Sequence, residues 1–318
     1  MADLGTLEGG ILSQATGINA HNVVIGTSEV GQETRLAFVK HPGEDMVALG
    51  GPYVRSEGGA INDHGVIVGS AANAGERSHA VIWKADGTPR DIEVDASYES
   101  YAVDVNNGGL VIGSAVDLTS EGTASRAFVY NSHTGDVTYL PWGKTAHGIN
   151  DAGDIVGRAC RGTVCSAAMW TAGSYELIPL AGLGGRQSTQ AQDINAAGQI
   201  VGEGPGPSTR VSLYWPSASQ PPVEIPLPVA EYSSIVAIND HGEAVGYAPS
   251  RAVLWDATTN EITWLGPADE LRSSFALDIN EHGIAVGIAE TGEPPPDSEA
   301  APPFHAVVFG RQSDTLSR

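Results

Sequence analysis

Apolar residues in this chain fall in short runs separated by glycine, proline, asparagine and aspartate, and no stretch keeps the period of an amphipathic helix. The stretch from Thr189 to Pro228 shows the unit best. TQAQDIN (Thr189–Asn195) leads through a tight turn to QIVGEG (Gln199–Gly204), then VSLYW (Val211–Trp215) and VEIPLP (Val223–Pro228). Each run has strand length and is bounded by turn formers, so the unit predicts four short β-strands.

The unit recurs along the whole chain. AQDINAAGQIVG has relatives ATGINAHNVVIG, GGAINDHGVIVG, AVDVNNGGLVIG, AHGINDAGDIVG, IVAINDHGEAVG and ALDINEHGIAVG, anchored on Asn19, Asn62, Asn106, Asn150, Asn195, Asn239 and Asn280. A fixed period of this size marks a repeat architecture, and four-stranded sheets arranged radially make a β-propeller. Six anchors are followed by a good fourth strand, whereas the seventh unit ends at HAVVFGRQSDTLSR without one. ADLGTLEGG (Ala2–Gly10) has the fourth-strand pattern and precedes the first anchor. The expectation is one all-β domain over 1–318. It is a seven-bladed β-propeller with four antiparallel strands per blade, closed by an N-terminal strand at 2–10 that completes the last blade.

Between the first two strands stands Asn-Asp-His-Gly or a close variant. The asparagine can bond its own backbone two residues on, and the glycine supplies positive φ, a place that Asn22 takes in the first copy. His64, His241 and His282 occupy equivalent turn positions. The repeat separates them around a ring, so they read as exposed turn residues and not as metal ligands. The third strand ends in Trp83, Tyr130, Trp170, Trp215, Trp255 or Phe309, a recurrence that suits packing between neighbouring sheets.

Those third strands also carry Leu36-Ala37-Phe38, His79-Ala80-Val81, Arg126-Ala127-Phe128, Arg251-Ala252-Val253 and His305-Ala306-Val307. With these triplets downstream of the repeat phrase, the chain resembles the HAF-repeat family, named for a His-Ala-Phe triplet. The resemblance covers nearly the whole chain. It implies a repeat protein of extracellular type and no common activity. A DxDxDG calcium loop, an Asp-box and a WD pattern are absent from the sequence.

Composition narrows the function classes. Asp and Glu total 38 against 16 Lys and Arg, giving a formal charge of −22. Such a surface repels phosphate backbones, which argues against nucleic acid; it favours solubility and cationic ligands. No apolar run reaches bilayer length, so no membrane partner is expected. The start, MADLGTLEGG, lacks the basic and apolar regions of a signal peptide. The protein is then cytoplasmic if Met1 is native, and extracellular if a leader has been removed. Cys160 and Cys165 leave two readings open, a disulfide across a short hairpin or two thiols. Nothing in the sequence calls for a cofactor or a metal.

Comparing the copies slot by slot locates a candidate site. Five residues before the anchor stand Gln14, Glu57, Tyr101, Thr145, Gln190, Ser234 and Phe275. Three before it stand Thr16, Gly59, Val103, His147, Gln192, Val236 and Leu277. Strand alternation places both slots on one side. Six before the anchor, Lys144 replaces the Ser or Thr of the other copies. Blades 4 and 5 thus break their own rule, as functional sites do. Loops on the same rim add Tyr53, Arg55, Tyr98, Glu99, Trp142, Arg186 and Tyr232.

The leading expectation is a scaffold binding a small molecule or glycan at the channel mouth, through Gln14, Glu57, Gln190, Gln192, Arg186, Trp142, Tyr53 and Tyr232. The alternative is a metal-free lyase, isomerase or cyclase with His147 as general acid or base and Lys144, Tyr101 or Arg186 beside it; against it stand His147 as a satisfied histidine between blades and Lys144 as a solvated loop lysine. A protein-interaction platform is the third reading. The Pro-rich stretch from Glu293 to Pro303 could serve as a lid or as a passive loop, and GLGGRQ (Gly182–Gln187) lacks the context of a phosphate loop.

Overall fold

A computed structural model describes residues 1–30, 34–95, 98–117, 124–206, 209–228, 233–266, 272–291 and 303–310. Seven four-stranded antiparallel sheets stand around one axis; six run outward in chain order from their first strand, and the seventh takes the N-terminal strand at its outer edge. The innermost strands are Ser13–Ile18, Arg55–Ile61, Tyr98–Val105, Gly143–Ile149, Gln190–Ile194, Ser234–Ile238 and Ser274–Ile279. They touch in cyclic order, the last against the first. No helix among the described residues is long and apolar enough to cross a membrane.

The core lies between blades. Trp83, Trp170 and Trp215 end their third strands fully buried. Their indole N–H groups donate to the carbonyls of Gly50, Pro141 and Ala181, where the preceding blade hands the chain over. A large apolar body with a single donor suits this place, because the donor finds a carbonyl while the ring fills the gap between sheets.

The anchor asparagines are all buried and form a closed belt. Asn19 Nδ2 donates to the Asn62 carbonyl, and the pattern runs through Asn106, Asn150, Asn195 and Asn239 to Asn280, which donates back to Asn19. In the same residues Oδ1 accepts turn N–H groups, as Asn62 does from His64 and Val66. A carboxamide is the side chain that supplies donors and acceptors together, which explains why the slot never varies. The turns close as expected, with Gly65, Gly109, Gly153, Gly198, Gly242, Gly283 and Asn22 all at positive φ.

A second set of ties uses the hydroxyl six residues before the anchor. Ser13, Ser56, Ser100, Thr189 and Ser274 each accept the N–H of the triplet-slot residue in the preceding blade, namely Ala306, Ala37, Ala80, Ala167 and Ala252. At the junction of blades 3 and 4 that slot holds Lys144, whose ammonium cannot accept; there Ser125 Oγ donates instead to the Lys144 carbonyl.

The N-terminal strand completes the seventh sheet, pairing Ala2 with Val308 and Asp3 with Val307. It is shorter than the expected 2–10. Asp3 Oδ1 accepts the Gly5 N–H, and Gly5 and Gly9 both take positive φ, so the chain turns away after one more ladder bond from Leu4 to Ala306. Leu7 is then buried against the first and last blades. Cys160 and Cys165 face each other across the second hairpin of blade 4 and are joined as a disulfide.

Candidate functional site

Every innermost strand carries an irregularity at the same slot, three residues before the anchor: Thr16, Gly59, Val103, His147, Gln192, Val236 and Leu277. A bulge of this kind re-aims its side chain. Simple alternation from the slot two residues earlier therefore fails here. Thr16 Oγ1 donates to the Gly58 carbonyl of the next blade, and His147 Nδ1 lies 2.7 Å from the equivalent Ala191 carbonyl. His147 thus makes the same interblade bond as Thr16. Burial pushes its pKa down and the nearby Arg158 adds to this, against the opposing Ala191 bond and Glu203. Its ring is engaged at the junction of blades 4 and 5. Arg158 Nε is itself buried there without a hydrogen-bond partner.

The slot five residues before the anchor behaves as expected in part. Glu57 and Tyr101 line one cavity of about 510 Å³ with Arg35, Arg55, Ser78 and Glu99. Tyr101 Oη donates to Glu99 Oε2 at 2.7 Å. Burial, that bond, and the Glu99 and Glu57 carboxylates push its pKa up to about 12, with Arg55 opposing. At neutral pH Tyr101 is a fixed phenol donor. Among the described residues Arg55 makes a long bond to Ser78, 3.4 Å, and Arg35 stands 3.6 Å from Glu29. Two lightly held guanidiniums and two carboxylates therefore face one polar recess. Gln14 lines an adjoining pocket of about 190 Å³ that shares Arg35 and includes Phe304.

Lys144 and Trp142 lie together elsewhere. With Arg126, Tyr139 and the disulfide they line a groove of about 730 Å³ between blades 3 and 4. Gln190 pairs with Glu203 inside blade 5, and Gln192 is the bulged residue there. Tyr53 packs edge-on against Trp83 and donates to Asp91, which places it on the body of blade 2. Arg186 is exposed in the loop after a single 3-10 turn. Tyr232 and 292–302 lie outside the described residues.

Slot comparison had a further signal to give. Two residues before the anchor stand Gly17, Ala60, Asp104, Gly148, Asp193, Ala237 and Asp278, so aspartate appears in blades 3, 5 and 7. Asp104 accepts the N–H groups of Val105 and, across the blade junction, Ile149. Asp193 does so for Ile194 and Ile238, and Asp278 for Ile279 and Ile18. Each keeps some accessible surface, yet the surrounding walls are close enough for desolvation to dominate. Burial first, then neighbouring carboxylates, raise Asp104 to about 6, Asp278 to about 7 and Asp193 well above the usual range, against the backbone bonds.

No family model and no curated protein matches the sequence. The fold is similar to solved propellers. An oligogalacturonate lyase from Vibrio parahaemolyticus superposes with TM-score 0.62 at 10% identity, over 98% of this chain and 93% of that one. The β-propeller domain of the Trilobed protease from Pyrococcus furiosus, described as having an open velcro topology, gives 0.59 at 10% identity, over 94% and 95%. TolB from Acinetobacter baumannii gives 0.52 at 11% identity, over 80% and 72%. At such identities the likeness establishes the shared β-propeller fold and nothing of chemistry.

Proposed function

We propose that this chain is a HAF-repeat propeller that binds a small polar molecule or the end of a glycan at the channel mouth, on the face of the variable loops. The observation that carries this reading is the recess of about 510 Å³ bounded by Arg35, Arg55, Glu57, Glu99 and Tyr101. Convergent charges of both signs beside a fixed phenol suit a ligand rich in hydroxyl, amino or carboxyl groups. The catalytic reading from the sequence needs an imidazole acid or base facing the recess. His147 is held two blade junctions away by the Ala191 carbonyl, and Tyr101 keeps its proton at neutral pH, so binding is the better account.

The test is a thermal-shift screen of polar metabolites and glycans on the full chain, followed by calorimetry. A true ligand raises the wild-type midpoint and loses affinity by roughly tenfold or more in Arg55→Ala and Glu57→Gln, the range for removing a charge-assisted contact. Hits that bind both variants as tightly as wild type, or a screen without hits, would count against the recess.

A further inference from the structure

The groove between blades 3 and 4 stands apart from the channel mouth in three ways. Its described lining carries the cations Arg126 and Lys144 and no carboxylate, in a chain whose acidic residues outnumber basic ones 38 to 16. Four other cavities among the described residues each include at least one carboxylate. It also opens at the junction where Lys144 has displaced the hydroxyl that ties five other blade pairs through a main-chain N–H.

The third feature is Trp142. Leu140-Pro141-Trp142-Gly143 forms a turn closed by the Gly143 N–H on the Leu140 carbonyl. Trp142 sits at its third position with φ 58°, a place where glycine is ordinarily required. The turn is fastened from below, since Trp170 donates to the Pro141 carbonyl and the Cys160 N–H to the Trp142 carbonyl. The indole is left 60% exposed, with the Arg161 guanidinium 5.6 Å from its ring centre. Across the groove Arg126 lies 3.7 Å over the Tyr139 ring. A bulky aromatic held in a strained, exposed conformation does nothing for the core, and strain of this kind concentrates where a surface has a task.

We propose that this groove binds an acidic saccharide, an oligosaccharide carrying uronate residues. Its C–H face would lie on the Trp142 ring, whose π-face is electron-rich, and its carboxylate toward Arg126 and Lys144. Aromatic faces select the sugar, and the missing carboxylates in the lining admit its charge despite the acidic remainder of the molecule. This site is independent of the channel-mouth reading and stands or falls separately.

The experiment is calorimetric titration of the full chain at low salt with trimeric galacturonate, its methyl ester, and acetate as a competitor. The acid trimer is expected to bind, the ester to bind weaker by roughly tenfold or more, and acetate not to compete. Two variants locate the site. Trp142→Gly puts the preferred residue into the turn, and Lys144→Ser restores the hydroxyl of the other junctions. Both are expected to keep or raise the thermal midpoint while losing the trimer by roughly tenfold. No binding by wild type, equal binding of acid and ester, competition by acetate, or unchanged affinity in both variants overturns the proposal. Loss of binding in Glu57→Gln with both groove variants unaffected moves the ligand to the channel mouth and overturns it equally.

Discussion

A histidine among apolar and small residues in an innermost strand is a conspicuous departure from the repeat, and its position was legible at once. Two tasks were open to it, acid–base work and a bond between blades; the bulge, which leaves no mark on alternation read from sequence alone, turns His147 toward the next blade's carbonyl. Thr16 is the key to it, since the same slot in blade 1 makes the same bond with a hydroxyl. If the imidazole serves only this bond, threonine replaces it. His147→Thr should unfold in urea within about 0.5 kcal/mol of wild type, and His147→Ala should lose about 1 kcal/mol or more, because the Ala191 carbonyl then lacks a partner. Equal losses in both variants would show that the ring's bulk, and not its bond, is what the junction needs.

At the scale of the element, the innermost strand and its turn are where the fold is specified. The asparagine slot was legible as an anchor because its invariance repeats seven times, and its positive-φ glycine followed from turn chemistry. That the seven side chains join into one belt was not legible, since each bond crosses to a different repeat. Removing one link breaks three bonds at once: in Asn62→Ala the N–H groups of His64 and Val66 lose their acceptor, and the buried Asn106 carbonyl keeps only the Gly109 N–H. The expected cost is about 2–4 kcal/mol, read from urea unfolding. The aspartates of blades 3, 5 and 7 escaped notice because four copies carry Gly or Ala in that slot. Their folded pKa values lie above the unfolded value of 3.8, so the folded ring binds protons more tightly than the unfolded chain. Their stabilising contribution is full below about pH 4 and is lost as pH rises through the folded values, about 6 for Asp104 and about 7 for Asp278. His147, with its pKa lowered, acts oppositely as pH falls through 6.5. Between pH 8 and 6.5 the wild-type thermal midpoint should therefore rise, and Asp193→Asn should flatten that slope, because it removes one of the three carboxyl groups that the folded ring holds protonated more tightly. A slope unchanged by the substitution would assign the pH dependence to the acidic surface.

For the whole molecule the question is what keeps seven sheets in a ring. Phase along the repeat already placed the missing fourth strand at the N-terminus, because a unit that lacks its last run at one end and carries a spare at the other can only close on itself. The reach of that strand was overestimated, since the glycines at positions 5 and 9 turn the chain out of the ladder. Closure is therefore divided between two radii. At the outer edge, Ala2 and Asp3 pair with Val308 and Val307, Asp3 meets His305 at 2.9 Å, and Leu7 fills the gap between the first and last blades. Near the axis, Asn280 to Asn19 and Ile18 to Asp278 join the same two blades without the N-terminal strand. Deleting residues 1–7 should cost at least about 3 kcal/mol, from the buried leucine and the lost ladder bonds, and it leaves the last third strand, Phe304–Phe309, as a bare edge. The truncated chain should still fold, with a lower urea midpoint and a tendency to associate on size-exclusion chromatography. An unfolded product would mean that the outer strand, and not the inner belt, holds the ring, whereas an unchanged midpoint would show that the belt alone suffices.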